Sequence, residues 1–239
     1  MSEARDPRTL TARSIFIVAP HADDESLGCG GLAAILARDG RQFHTLFVTD
    51  GGASHRNSAT WPRAALAAKR HREAEDALAI LGLGTMPRSF LGLPDADLPP
   101  DGSPGWDAAR ARVVEILADA APDLVLLPWR RDPHSDHRAA WHLVTQALEQ
   151  AGLAPARMEY AIWLDELGAP EDHPRPGEMH RVSFDIADVV ETKRAAVAAH
   201  LSQTTALIDD DPDGFMLDAA TIARLTGPIE SYWQDGEAD

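Results

Sequence analysis

The chain has a single cysteine, Cys29, in 239 residues. One thiol excludes an intrachain disulfide and a thiolate metal cluster. Cys29 is expected to be a small buried hydrophobe, and any metal site has to be built from His, Asp and Glu. Long apolar runs are missing too, and none approaches the length a bilayer-crossing helix needs. The N-terminus shows no basic stretch followed by an apolar one, as a secretory leader would. The sequence therefore predicts a cytoplasmic protein with no membrane partner. Basic residues are scarce, 22 Lys and Arg against 38 Asp and Glu, for a formal net charge of −16. Such a surface repels phosphate backbones, which argues against a nucleic-acid partner. It leaves small-molecule chemistry open, because a pocket can differ locally from the surface. There is no internal repeat and no linker-like stretch, so one domain over residues 1–239 is expected. A homo-oligomer is compatible with the sequence, though nothing specifies one.

What is present is an ordinary globular composition, 44% hydrophobic and 25% charged, in a chain long enough to bury a substantial core. Residues 1–13 carry no period and predict a loose N-terminus. Apolar runs predict strands over 14–19, 43–49, 88–91, 123–127, 159–164 and 181–184. Helical periodicity, with Pro62 opening one segment and Gly82 closing it, predicts helices over 27–38, 62–81, 106–120, 134–151 and 189–202. The tail from 204 holds an acidic loop and room for one more helix and strand. Strands alternating with helices predict an α/β fold, a mostly parallel sheet with helices on both faces. The early strands are continuously apolar, as strands covered on both faces are.

Two stretches stand out. The first strand runs into Pro20-His21-Ala22-Asp23-Asp24-Glu25-Ser26-Leu27-Gly28-Cys29-Gly30-Gly31, where three adjacent carboxylates repel one another unless something holds them. The strand at 124–127 runs into Pro128-Trp129-Arg130-Arg131-Asp132-Pro133-His134-Ser135-Asp136-His137. Both lie past the carboxyl end of an apolar strand and before a helix, where parallel sheets bind ligands. The pairing gathers imidazoles and carboxylates. His21, Asp24 and His137 could supply a two-histidine, one-carboxylate triad, which suits Zn2+ and also Fe2+. Asp23 would remain free to deprotonate a water. His134, once protonated, could steady an oxyanion and protonate a leaving amine, and Asp136 could orient an imidazole. Trp129 could wall the pocket, where a sugar ring would stack.

Two rival motifs weigh less. Gly28-Cys29-Gly30-Gly31-Leu32-Ala33 fits a dinucleotide fingerprint, with Asp50 where a ribose-binding acid would fall. Its first glycine nevertheless comes well after the strand, and the three acids would repel a pyrophosphate. Close helix–sheet packing accounts for the glycines more simply. The run Asp209-Asp210-Asp211-Pro212-Asp213-Gly214 starts like a calcium loop, but its twelfth position is Ala220 rather than glutamate. It reads as an acidic capping loop that could line the mouth of a site.

The two clusters together resemble the signatures of the PIG-L/LmbE-like zinc-dependent de-N-acetylase family, H-P-D-D-E-x-x-G-x-G-G and H-x-D-H. The resemblance spans about residues 14–205. It implies a Rossmann-like fold and hydrolysis of an N-acetyl group from an amino-sugar-type substrate, a small N-acetylated molecule such as a glycoconjugate. By motif position, His21, Asp24 and His137 resemble the zinc ligands, Asp23 the general base, His134 the electrostatic stabiliser or acid, and Asp136 its supporting partner. Arg70, in Arg70-His71-Arg72-Glu73, falls where the family often has a substrate-contacting arginine. His200-Leu201-Ser202-Gln203 resembles a family helix ending in H-x-S-Q, whose role the sequence leaves open. Ala22 stands where the family has proline, which leaves the ligand loop freer. The alternatives are a zinc hydrolase of the same fold acting on another amide or ester, and a non-catalytic sugar- or nucleotide-binding protein.

Overall fold

A computed structural model describes residues 4–235. Its centre is a seven-stranded sheet in the order β3-β2-β1-β4-β5-β7-β6. The strands are β1 (Ser14–Ala19), β2 (Gln42–Thr49), β3 (Arg88–Leu93), β4 (Leu124–Pro128), β5 (Ala156–Tyr160), β6 (Met179–Asp185) and β7 (Ile229–Asp235). The first five pair in parallel, while β7 runs antiparallel to both β5 and β6. The helices are α1 (Asp24–Arg38), α2 (Arg63–Ile80), α3 (Pro104–Ala120), α4 (Ser135–Ala151), α5 (Leu164–Leu167), α6 (Val190–Ala199), α7 (Leu201–Thr204) and α8 (Ala219–Leu225).

Alternate residues of β1 feed two separate cores. Ile15, Ile17 and Ala19 pack on one face with side chains of α1, α2 and α6, including Leu32, Ala77 and Val197. Phe16 and Val18 pack on the other with α3 and α4 through Val113, Leu117, Leu143 and Val144. This two-sided burial is why β1 reads as an unbroken apolar run. β1 is also where the strand order reverses. From it the chain builds outward to β2 and β3, then returns to β4 on its other side, with Ile15 beside Leu124 and Ile17 beside Leu126. The crevice at that switch point, beyond the carboxyl ends of β1 and β4, is the natural ligand site of such a sheet.

Several sequence expectations need correction. Helix α1 begins at Asp24, one turn earlier than predicted, so the acidic motif forms its first turn, where carboxylates are favoured by the helix dipole. Residues 4–13 are not loose. Arg5 bridges to Phe184 on the edge strand β6, and Asp6 caps a short turn at Pro7–Thr9. The strand expected over 159–164 is β5, ending at Tyr160, because the carboxylate of Asp132 takes the N–H groups of Ile162 and Trp163. The helix expected over 189–202 breaks at His200. The ordered core reaches past 205, since β7 sits inside the sheet and buries Tyr232.

Two of the three glycines of α1, Gly28 and Gly31, do the packing expected of them, while Gly30 has ordinary room. A Cβ on Gly28 would lie 2.3 Å from the ring of Tyr160, and one on Gly31 would lie 2.3 Å from Ile186. Neither faces an open phosphate cradle, which removes the geometric basis of the dinucleotide reading.

Candidate metal centre and active site

His21 follows β1, Asp24 opens α1, and His137 lies in the first turn of α4, which follows β4. Strand order alone brings these segments together. Oδ2 of Asp24 lies 3.2 Å from Nδ1 of His21 and 3.3 Å from Nε2 of His137. One donor atom from each residue falls within 4.8 Å of the others. All three are buried.

The protonation balance of this trio fits a cation. Burial alone would lower both imidazoles. The carboxylates of Asp136, Asp24 and Asp95 instead carry His21 well above its ordinary value, and Asp24 and Asp132 push His137 up to about 9. Asp24, whose burial would raise it, is held well below the usual carboxylate range, first by His137 and then by His21. Both ring nitrogens of His137 are buried without a hydrogen-bond partner. A divalent cation gives Asp24 its counter-charge while leaving both imidazoles neutral, the form that ligates. The donor set of two nitrogens and one oxygen suits such an ion.

A second grouping, His21 with His134 and Asp136, has comparable spacing. It fits less well. It uses Nε2 of His21, 3.2 Å from Oδ2 of Asp136, and that oxygen already accepts the Ala96 N–H at 2.8 Å. The carboxylate of Asp136 thus meets His21, not His134 as the resemblance implied, and it braces the ring from the side away from Asp24.

Two further supports escaped sequence reasoning. Oδ1 of Asp132 lies 3.4 Å from Nδ1 of His137, opposite the nitrogen aimed at Asp24. The same carboxylate accepts the N–H groups of His134, Ile162 and Trp163. Asp95, in the loop after β3, lies 3.4 Å from Nε2 of His21 and accepts the Ala53 N–H. The available signal was a carboxylate two residues before His134 and another in a Pro-Asp turn.

Asp23 precedes α1 with φ of 147°, a backbone geometry that non-glycine residues rarely adopt. Three bonds hold it. Arg70 reaches its Oδ2 at 3.1 Å and the carbonyl of Ala22 at 2.9 Å, and Glu25 Oε2 accepts its N–H at 3.0 Å. Arg70 is buried and also binds the Gly51 carbonyl, so it ties the acidic loop to the loop after β2. These ties hold the loop that carries Ala22. Burial raises the Asp23 carboxyl to about 6, against the opposing pull of Arg70.

The segment at 200–203 locks this arrangement. His200 Nε2 lies 3.1 Å from Glu25 Oε1, Ser202 donates its N–H and hydroxyl to Glu73, and Gln203 Nε2 donates to Ser54 and Ser202.

His134 departs from expectation. Burial, followed by repulsion from His21 and His137, pushes its pKa down to about 4. Its Nδ1 accepts the Asp136 N–H, so the neutral ring carries its proton on Nε2. It is a neutral hydrogen-bond donor near pH 7 rather than an imidazolium. Trp129 is the other correction. It is fully buried, donates Nε1–H to the Asp172 carbonyl and packs under Arg131. It lies outside the cavity, because the residue after β4 points into the protein.

That cavity has a volume of about 510 Å³. His21, Asp23, Asp24, Arg70 and His134 line one part of it. Arg56, Asn57, Asp211 and Asp213 line another, and Trp163, Leu167, Phe215 and Leu217 form an apolar wall. The acidic run at 209–213 does cap a loop at this mouth. Asp210 takes the N–H groups of Ala59 and Thr60, and Asp211 that of Asn57.

Residues 16–148 match the family described as PIG-L: GlcNAc-PI de-N-acetylase. A 1D-myo-inositol 2-acetamido-2-deoxy-alpha-D-glucopyranoside deacetylase of Rhodococcus opacus is 28% identical over 247 residues, covering 82% of this chain and 83% of its own. A 2'-N-acetylparomamine deacetylase of Streptomyces fradiae is 30% identical over 227 residues, covering 84% and 79%. Among solved structures, the N,N'-diacetylchitobiose deacetylase of Pyrococcus horikoshii superposes with a TM-score of 0.63 at 23% identity, over 80% of this chain and 71% of its own, a likeness of fold.

Proposed function

From the premise that this chain belongs to the PIG-L family of de-N-acetylases, we propose that it is a metal-dependent amidohydrolase that removes the N-acetyl group of a small amino-sugar conjugate. The observation that carries the reading is a single one: Asp24 draws two imidazoles onto one oxygen, and a buried, strained Asp23 stands beside it in the same cavity.

The ion we propose is Zn2+, held by His21, Asp24 and His137; Fe2+ accepts the same donors. When bound it supplies a Lewis acid for the acyl carbonyl and brings the acidity of water toward neutral pH. The remaining chemistry belongs to side chains. Asp23 takes a proton from the attacking water and later delivers it to the departing nitrogen. Its pKa of about 6 leaves it ionised near neutrality yet basic enough to accept a proton. Arg70 holds the carboxylate in place. His134, neutral and carrying its proton on Nε2, donates a hydrogen bond to the oxygen on which negative charge develops. Asp132 and Asp136 keep the two ligand imidazoles oriented. Acetate and a free amine are the products.

We place the protein in the cytoplasm as a single catalytic domain. No helix among the described residues is long and apolar enough to cross a membrane.

The test is acetate release over a set of N-acetylated amino-sugar conjugates, with the protein stripped by chelator and then reloaded with Zn2+. Release that disappears on stripping and returns on reloading is expected. Asp23→Asn should keep its metal and lose about two to four decades of turnover. A metal-loaded protein that releases no acetate from any member of the set overturns the reading.

A further inference from the structure

Exposed large apolar side chains are few in this acidic protein, seven among the described residues. Two of them, Leu167 at 67% exposure and Phe215 at 38%, line the cavity, and Met216 at 54% adjoins Phe215. Leu167 and Phe215, with Trp163, which meets Phe215 edge to face at 5.9 Å, and with buried Leu217, make an apolar wall in the cavity that Asp23 and His21 also line.

This wall is built, not a loose flap. Phe215 N–H binds the Ser54 carbonyl and Leu217 N–H the Gln203 carbonyl. A Cβ on Gly214 would lie 2.2 Å from the His55 ring, so the loop packs directly on the segment whose Ser54 and Arg56 line the cavity. On the other side, Glu166 of α5 is gripped by Thr221 and Arg224, and Arg224 also binds the Ile162 carbonyl. Apolar groups held in fixed positions toward a cavity gain free energy only when something apolar covers them.

The charges at the mouth exclude the other common substituents. Asp211 and Asp213 line the cavity away from the proposed metal ligands, and of its two arginines Arg70 is committed to Asp23 and two carbonyls. An anionic substituent there would meet one arginine, Arg56, and two carboxylates. A polyol would leave the wall uncovered.

Resting on the deacetylase reading above, we infer that the substrate is amphipathic: an N-acylated amino sugar carrying an apolar substituent that lies against Trp163, Leu167 and Phe215. The same apolar chemistry can come from an aglycone or from a longer N-acyl chain.

The experiment compares kcat/KM of the zinc-loaded protein for N-acetylglucosamine, its 1-phosphate, its octyl glycoside, and N-octanoylglucosamine. The octyl glycoside or the N-octanoyl sugar should exceed free N-acetylglucosamine by about tenfold or more, given roughly 0.8 kcal/mol per buried methylene. Which of the two leads identifies the source of the apolar group. Phe215→Ser and Leu167→Ser should bring that ratio down toward one, while Ile80→Ser, at an exposed apolar position away from the cavity, should leave it unchanged. Equal kcat/KM for all four, or preference for the 1-phosphate, overturns the inference and leaves the deacetylase reading standing. Turnover of none of them overturns both.

Discussion

The carboxylate of Glu25 accepts the backbone N–H of Asp23 at 3.0 Å. Its other oxygen faces His200, 175 residues away in the chain. A pair buried in the core of the protein therefore holds the peptide of the residue proposed as the base in a backbone geometry it would otherwise avoid.

If that tie positions the base, Glu25→Ala should lower kcat by roughly 10- to 100-fold with KM and metal content little changed. Glu25→Gln, whose amide oxygen can still accept the N–H, should recover much of the loss. Steady-state kinetics beside metal analysis separates this from unfolding. Full turnover in folded Glu25→Ala would show that Asp23 needs no such support.

Removing a ligand and removing its brace should differ in degree. His137→Ala is expected to abolish tight metal binding. Asp132→Ala, which leaves all three ligands in place, should weaken it by about 10- to 100-fold. Competition against a chromogenic chelator measures both. Wild-type affinity in the Asp132 variant would remove that residue from the metal's support.

The sign of the pH dependence follows from Asp23. Its carboxylate is the working form, and burial raises its pKa to about 6. Activity should therefore rise with pH through this pKa and be lost below it. A bound cation can only lower the value, so the acid limb of kcat/KM should fall at or below about 6. His134, pushed down to about 4, adds no limb near neutrality. A profile that declines steadily between about pH 5 and 7 would contradict the assignment of both groups.

Two glycines of α1 should respond differently to alanine. At Gly28 the added Cβ meets Tyr160, whose ring is pinned by its hydroxyl bond to the Val18 carbonyl at 2.6 Å. Overpacking of this kind costs about 1–3 kcal/mol. At Gly30 the nearest atoms lie at 3.4 Å, and relief of glycine's helix penalty, about 0.8–1.0 kcal/mol, should offset the closer contact. Urea midpoints of the two variants test the contrast, and equal midpoints would count against it.

Much of the fold was legible because the local signals agree. β1 and β4 announce themselves as apolar runs because both their faces are covered, and α2 and α4 by their periodicity. Element ends were less legible where a distant side chain sets them, as Asp132 does for β5. The place of β7 was hidden for a related reason: a short strand can pair with either neighbour, and only the finished sheet shows it between β5 and β6.

At the site, the sequence by itself determined the donor types and their place after two strands, since one thiol leaves only His, Asp and Glu to bind a metal. The tertiary structure alone decided which carboxylate faces which imidazole: Asp132 behind His137, Asp136 and Asp95 behind His21, and Glu25 between Asp23 and His200. It also set the neutrality of His134 and withdrew Trp129 from the cavity. The physical reason is the same in each case. A residue's type is a local property, whereas its charge state and its partner depend on what the sheet order brings within a few ångströms.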